Sequence, residues 1–240
     1  MSAVEIAGLR KTFGDVVAID EVSFSVEPGE IFGILGPNGA GKSTTVECLT
    51  GALVPDAGSV HVLGVAPAAH RAVVREKVGY QLQSAVLPAA LRVGEAMRLF
   101  ASFYPNPQPI DELLDAVGLH AHRTRPFGKL SGGQQQRLSI ALALVGSPEL
   151  VVLDELTTGL DPQARREVWA HIERVKARGV TVILVSHYLD EVERLCDRLT
   201  IIANGRTRFV GTPAELRGDA QTLEDAYVSR LDASDWSELA

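Results

Sequence analysis

The sequence has little cysteine, no long apolar run and no excess of basic charge. Its 240 residues hold two cysteines, Cys48 and Cys196. Two thiols that far apart make neither a disulfide framework nor a zinc site, and their apolar neighbours mark them as small core residues in a reducing compartment. No apolar stretch approaches the roughly 18 residues needed to cross a bilayer. The opening MSAVEIAGLRKTF lacks the basic and apolar regions of a signal peptide. These absences lead us to expect a cytoplasmic chain that reaches a membrane only through a partner. Acids outnumber bases by 30 to 23, a net charge of −7, which argues against a nucleic-acid coat or a basic membrane-binding surface. With 46% hydrophobic and 22% charged residues, disorder, collagen and coiled coil are excluded too. There is no internal repeat and no low-complexity tract.

What is present is a change of period along the chain. Val22, Phe24 and Val26 alternate with polar residues as in a half-buried strand. After Pro28-Gly29, the run Ile31–Leu35 suits a strand buried on both faces. Gly36 to Gly41 reads as a loop, Lys42 to Leu49 as a helix, and 59–63 as a strand. From about 91 to 140 the chain is helix-rich, with periodic segments at 95–103 and 111–117 separated by Pro105, Pro107 and Pro109. Strand and helix then alternate: 150–153, 162–177, 180–185, 188–196 and 199–202. Short apolar strands separated by helices predict a parallel sheet covered on both faces, with an added antiparallel piece near the start.

Gly36-Pro37-Asn38-Gly39-Ala40-Gly41-Lys42-Ser43 fits G-x-x-x-x-G-K-[ST] between a strand and a helix. Glycines let successive N–H groups converge on phosphates, and the following helix adds its positive end. Lys42 supplies a cation for the β and γ oxygens, and the Ser43 hydroxyl is a ligand for Mg²⁺. The pattern predicts nucleoside-triphosphate binding. Such a loop needs a carboxylate on a neighbouring strand end, and LVVL-Asp154-Glu155 supplies two. Asp154 is placed to orient a magnesium-bound water, and Glu155 to polarise a water attacking the γ-phosphate. His187 closes the next apolar strand, where an imidazole can hydrogen-bond that phosphate.

A second glycine-bearing helix start follows Leu130: Ser131-Gly132-Gly133-Gln134, with Gln135, Gln136, Arg137 and an apolar helix after it. Ser131 reads as an N-cap, and the glycines leave N–H groups open. Taken alone this is either an ordinary capped helix or a second anion-binding surface. LSGGQ, about twenty residues before the acidic strand and about ninety after the phosphate loop, resembles the signature of ATP-binding-cassette (ABC) ATPases. The likeness runs from about Val4 to Gly211.

That resemblance implies an α/β fold of the P-loop NTPase (RecA-like) class: a mixed sheet with an antiparallel β subdomain and an inserted α-helical subdomain. The cassette would span 1–211, with the helical insertion at about 88–140, and a short acidic helical tail would occupy 212–240. The tail carries −5 of the net charge, from seven acids and two bases, with Leu223, Tyr227 and Leu231 as its packing edge. The resemblance implies ATP and Mg²⁺ as cofactors. It makes Phe13 the aromatic against adenine, adds Thr44 to the phosphate loop, and makes Gln83 the glutamine that reaches Mg²⁺ and the γ-phosphate. Gly159-Leu160-Asp161 becomes the D-loop, and His187 the switch histidine. Glu155, His187, Gln83 and Lys42 are then catalytic, Ser43, Gln83 and Asp154 hold the metal, and Ser131–Gln134 and Asp161 contact nucleotide across a head-to-tail dimer.

The implied partners are a second copy or a paralogous cassette, and separate transmembrane permease subunits that hold the chain at the cytoplasmic face. A permease helix would dock along 82–104, with Leu87, Leu91, Met97, Phe100 and Phe103 as candidate contacts, half or more of which belong to the core instead. SVHVLGVAP and TLEDAYVSRL resemble ABC-2-type exporters. The chain also departs from the pattern. Leu156 stands where proline is usual and leaves the Glu155 turn less restrained, with a modest expected effect. Gln81-Leu82 precedes Gln83 where proline is common, and Phe13 replaces a commoner tyrosine. The rival classes are a soluble ATPase acting on nucleic acid or the ribosome, and an ATP-gated module without turnover. The first lacks its coiled-coil insertion or second cassette here, and Glu155 with His187 argues against the second.

Overall fold

The computed structural model describes residues 1–81 and 87–231. In chain order the elements are β1 (Val4–Phe13), β2 (Val16–Val26), β3 (Ile31–Leu35), α1 (Lys42–Leu49), β4 (Ala57–Val62), α2 (Arg71–Lys77), β5 (Val78–Gln81), α3 (Val93–Ala101), α4 (Ile110–Ala116), α5 (Gly132–Leu144), β6 (Leu150–Asp154), α6 (Pro162–Ala177), β7 (Thr181–Val185), α7 (Leu189–Leu195), β8 (Arg198–Ala203), β9 (Arg206–Gly211), α8 (Pro213–Arg217) and α9 (Leu223–Ser229). They fall into two compact units: Met1–Arg75 with the chain from Ile183 onward, and Glu76–Val182.

In the first unit the strands lie in the order β4-β1-β2-β9-β8-β3. β1 pairs antiparallel with β2 and β4, and β8 with β9. β3 runs parallel to β8, and β2 meets β9 in parallel at Glu21 and Arg206. The sheet is therefore mixed, with its antiparallel part built from the start of the chain. Every residue of β3 is buried, as a continuous apolar run requires. β1 escapes a two-residue alternation because its inward residues are Val4, Ile6 and then Leu9, and the register to β2 shifts between Ile6 and Leu9. β8 and β9 are joined by Asn204-Gly205, both at positive φ (48° and 67°), the two-residue turn whose twist suits a tight hairpin. Cys48 and Cys196 are buried thiols, and burial pushes the Cys48 thiol up to about 11.

Thr212 and Glu215 form a capping box on α8, and Thr222 caps α9. Leu223 and Leu231 are buried, Tyr227 is half-buried, and Ala226 takes an inward place that the sequence reading did not give it. The Arg230 guanidinium lies 5.1 Å from the Phe209 ring. Residues 232–240 of the acidic tail lie outside the described residues.

In the second unit β5 and β6 run parallel, in register from Val78 opposite Leu150 to Gln81 opposite Leu153. Around them Val93, Ala96 and Met97 of α3, Leu113 and Leu114 of α4, and Leu138 to Leu144 of α5 supply buried apolar side chains. α2 left no periodic mark in the sequence because Val74 is its one buried residue.

Candidate functional site

The phosphate-loop residues follow β3 in the first unit. α1 begins at Lys42 behind Gly41, which sits at φ 98° and provides no side-chain cap. Two of the loop's glycines are imposed by the fold itself. A Cβ on Gly36 would stand 2.0 Å from the Ile202 carbonyl oxygen, and one on Gly41 2.6 Å from that of Ala18. Gly205 N–H also donates to the Ala40 carbonyl at 3.1 Å, so β2 and the β8–β9 hairpin brace the loop. Lys42 is 7% exposed, and its Nζ donates to the carbonyls of Gly36 and Pro37, each at 2.7 Å. The ammonium is thus folded onto the loop whose N–H groups it accompanies. Asn38, Gly39 and Ser43 are exposed, Pro37 and Thr44 half-buried, and Ala40 buried. Thr45, one residue on, closes against the Gly41 carbonyl at 2.8 Å.

His187 belongs to the same unit. Ser186 N–H donates to Ile34 O of β3 at 3.3 Å, so the segment carrying His187 leaves the sheet beside the strand that feeds the loop. The imidazole is exposed and lies 4.1 Å from the Tyr188 ring, tilted 39°. The buried Ser186 hydroxyl holds this turn from both sides: it donates to Glu191 Oε2 at 2.6 Å and accepts from Tyr188 N–H at 3.0 Å. Phe13, at the end of β1, is 48% exposed with the Lys11 ammonium 5.7 Å from its ring centroid.

The acidic pair belongs to the second unit. Asp154 ends β6 and is 3% exposed. Its N–H donates to Gln81 Oε1 at 3.0 Å. Glu155, half-buried, has φ 48°, a conformation that costs a side-chain-bearing residue on the order of 1 kcal/mol and clusters at functional sites. Leu156 is fully buried behind it.

Ser131 is the N-cap of α5, as its residue type predicts. Its hydroxyl accepts from Gln134 N–H at 3.3 Å while the Gln134 amide oxygen accepts from Ser131 N–H at 3.0 Å, a reciprocal capping box. Gly132 and Gly133 contribute the remaining donors of that turn. A Cβ on Gly133 would meet Ala164 at 3.0 Å, and one on Gly132 would meet Leu160 at 3.4 Å, so the signature and the start of α6 are neighbours. Asp161 caps α6, its Oδ1 accepting from Gln163 and Ala164 N–H groups at 3.0 Å. Gln83 lies outside the described residues. Of the proposed permease contacts, Met97 is fully buried and is core, Leu87, Leu91 and Phe100 are half-buried, and Phe103 is 68% exposed.

A family model described as "ABC transporter" matches residues 19–158, more than half of the chain. The chain belongs to the ABC transporter family. Members hydrolyse ATP, and this cassette is an ATPase of that class with the P-loop NTPase fold. Nod factor export ATP-binding protein I of Rhizobium sp. (strain N33) is 41% identical over 219 residues, covering 89% of this chain and 72% of that protein. The probable multidrug ABC transporter ATP-binding protein YbhF of Escherichia coli (strain K12) is 36% identical over 249 residues, covering 99% of this chain but 43% of that protein. Among solved structures, the ATP binding subunit of an ABC transporter superposes with a TM-score of 0.85 at 29% identity, over 95% of this chain and 99% of that one. An ATP-binding cassette of an ABC transporter in its ADP conformation gives 0.81 at 27%, with the same coverage.

Beyond its motifs, the cassette uses residues that the sequence reading passed over. Ser186 and Glu191 hold the His187 turn, and His122 Nε2 lies 3.1 Å from Gln134 Nε2 of the signature. Asn204-Gly205 supports the phosphate loop. Of these, Asn-Gly between two apolar segments was a legible hairpin signal. The others are single polar residues that gain meaning only from their neighbours.

Proposed function

We propose that the cassette is the ATP-hydrolysing subunit of a membrane exporter, dimerising head to tail on ATP and acting through separate transmembrane subunits. The observation that carries this reading is the phosphate loop: a helix start without a side-chain cap, braced glycines, and a buried lysine ammonium already among the loop's carbonyls. The loop N–H groups from Gly36 to Thr44 and Lys42 bind and orient the β and γ phosphates, and Phe13 stacks on adenine.

The donor set fits Mg²⁺, a hard cation that takes a hydroxyl and a carboxylate beside phosphate oxygens. Ser43, Asp154 and Gln83 would hold it. A site completed by phosphates needs no cluster of three acids or histidines, and among the described residues there is none. When bound, the ion neutralises charge developing on the phosphates. Glu155 takes the proton of the attacking water as the γ-phosphorus–oxygen bond to ADP breaks, leaving ADP and inorganic phosphate. His187 hydrogen-bonds the γ-phosphate. Ser131–Gln134 and Asp161 of one protomer close on nucleotide held by its partner, a homodimer or a paralogous heterodimer, which gives two composite sites from one two-fold axis.

We assign the cassette to 1–211, with a helical insertion at about 88–140, and the acidic tail to 212–240. Among the described residues no helix is long and apolar enough to cross a membrane. We place the membrane path in permease subunits at whose cytoplasmic face the cassette sits, with the exposed Phe103 and Leu99 as contact residues. Export is favoured by the names of the Nod-factor and multidrug relatives. The same names, with the acidic balance, argue against a nucleic-acid or ribosomal partner.

The test is Glu155→Gln in the full chain. Hydrolysis is expected to fall by about a hundredfold or more while ATP-dependent dimerisation, followed by light scattering, persists. Unchanged hydrolysis would remove Glu155 as the base. A monomer in saturating ATP would remove the head-to-tail mechanism.

A further inference from the structure

We propose that His122 is a positioning residue for the signature turn, holding the Gln134 side chain in the orientation that leaves Ser131, Gly132 and Gly133 open to a nucleotide. The proposal rests on the reading that Ser131–Gln134 close on nucleotide held by the partner. His122 ends a single 3₁₀ turn, His120–His122, and both it and Gln134 are half-buried. Ser131 N–H donates to Gln134 Oε1 at 3.0 Å, which settles the amide: its oxygen faces Ser131, and its NH₂ group lies 3.1 Å from His122 Nε2. An amide NH₂ only donates, so His122 Nε2 is the acceptor and the proton of the neutral imidazole sits on Nδ1. The amide is thereby held at both ends, once by the main chain of its own turn and once by a side chain outside α5.

That second hold matters because the turn has little else to fix it. Gly132 and Gly133 bring no side chains, and Ser131 is exposed. An amide bonded at both ends cannot turn over without losing both hydrogen bonds, since its NH₂ group would then face the Ser131 N–H. With the amide fixed, the Ser131 hydroxyl oxygen accepts from Gln134 N–H at 3.3 Å, and its proton is left for an acceptor outside the turn. The Gly132 and Gly133 N–H groups, at the start of α5, are left in the same way. These are the donors that a phosphate takes at a helix start. One hydrogen bond is worth about tenfold or less in an equilibrium, but a two-fold dimer holds two such turns, so its loss counts twice.

Two measurements on the full chain test this. Nitrogen-15 NMR of the imidazoles, with His122 assigned by the resonance lost in His122→Gln, reads the tautomer. The neutral ring should carry its proton on Nδ1 and a bare Nε2; a protonated Nε2 overturns the proposal. Light scattering in saturating ATP, in the Glu155→Gln background, reads dimerisation. His122→Leu removes the acceptor and should weaken the ATP-dependent dimer by about tenfold, while mant-ATP binding by the dilute monomer, which uses the phosphate loop, stays unchanged. His122→Gln sets an amide oxygen as many bonds from Cβ as Nε2 and should restore the dimer. Undiminished dimerisation in His122→Leu, or a loss that His122→Gln does not repair, overturns the positioning role. If His122→Leu does not fold, the tautomer in the wild-type protein decides. Ser131→Arg, which puts a long side chain on the closing turn, separates the two readings. Should it dimerise like its parent, the signature's contact with nucleotide falls. Should it lose the dimer while His122→Leu keeps it, only the positioning role falls.

Discussion

The two glycine-bearing helix starts, at α1 and at α5, look alike in sequence and are built on opposite principles. α5 is finished locally: Ser131 and Gln134 satisfy each other's main-chain donors within one turn. α1 is finished from outside. Gly41 offers no cap, Gly36 and Gly41 press against carbonyls of Ile202 and Ala18, and Gly205 ties down Ala40. A start that caps itself is a stable helix terminus in any setting. One that borrows its shape from distant strands keeps its N–H groups for a ligand, which is what binding several phosphate oxygens requires. The contrast also assigns the glycines different work. In the phosphate loop they admit other backbone, whereas in the signature the neighbours are the side chains of Leu160 and Ala164.

Three substitutions test that contrast, read by denaturant unfolding without nucleotide. Gly36→Ala should be the most damaging, by about 3 kcal/mol or more, because its Cβ would overlap the Ile202 carbonyl at 2.0 Å and a backbone atom of a central strand has little room to yield. Ser131→Ala should cost about 1 kcal/mol, the usual value of an N-cap. Gly133→Ala should lie within about 1 kcal/mol of zero: alanine gains about that much helix propensity, offset by the contact at 3.0 Å with Ala164. A Gly133→Ala loss as large as that of Gly36→Ala would make the two starts equivalent and end the comparison. A tolerated Gly36→Ala would show that the β8 carbonyl moves freely and that the loop is not braced.

Much of this was legible beforehand because it is local. The strand of Ile31–Leu35, the helix opened by Asp161-Pro162 and the cap at Ser131 follow from patterns within a few residues, and each lies within two residues of its predicted bounds. Elsewhere the sequence pattern is mixed. β9 carries alternating arginines on a half-exposed surface, and α2 buries one residue. Gln81 was visible only as a departure from the family pattern, since the donor it satisfies lies 73 residues away.

By itself the sequence determined the family and its ATPase chemistry, because phosphate binding demands particular residue types at short spacing, and those spacings survive in a linear string. Only the tertiary structure decided which of those residues are held, and by what. Ile202 and Ala18 make Gly36 and Gly41 obligatory, Ser186 and Glu191 frame His187, the Gln81 amide oxygen accepts from the Asp154 N–H, and Met97 belongs to the core. Each outcome depends on atoms brought within about 3–4 Å by folding, from segments that the chain keeps far apart.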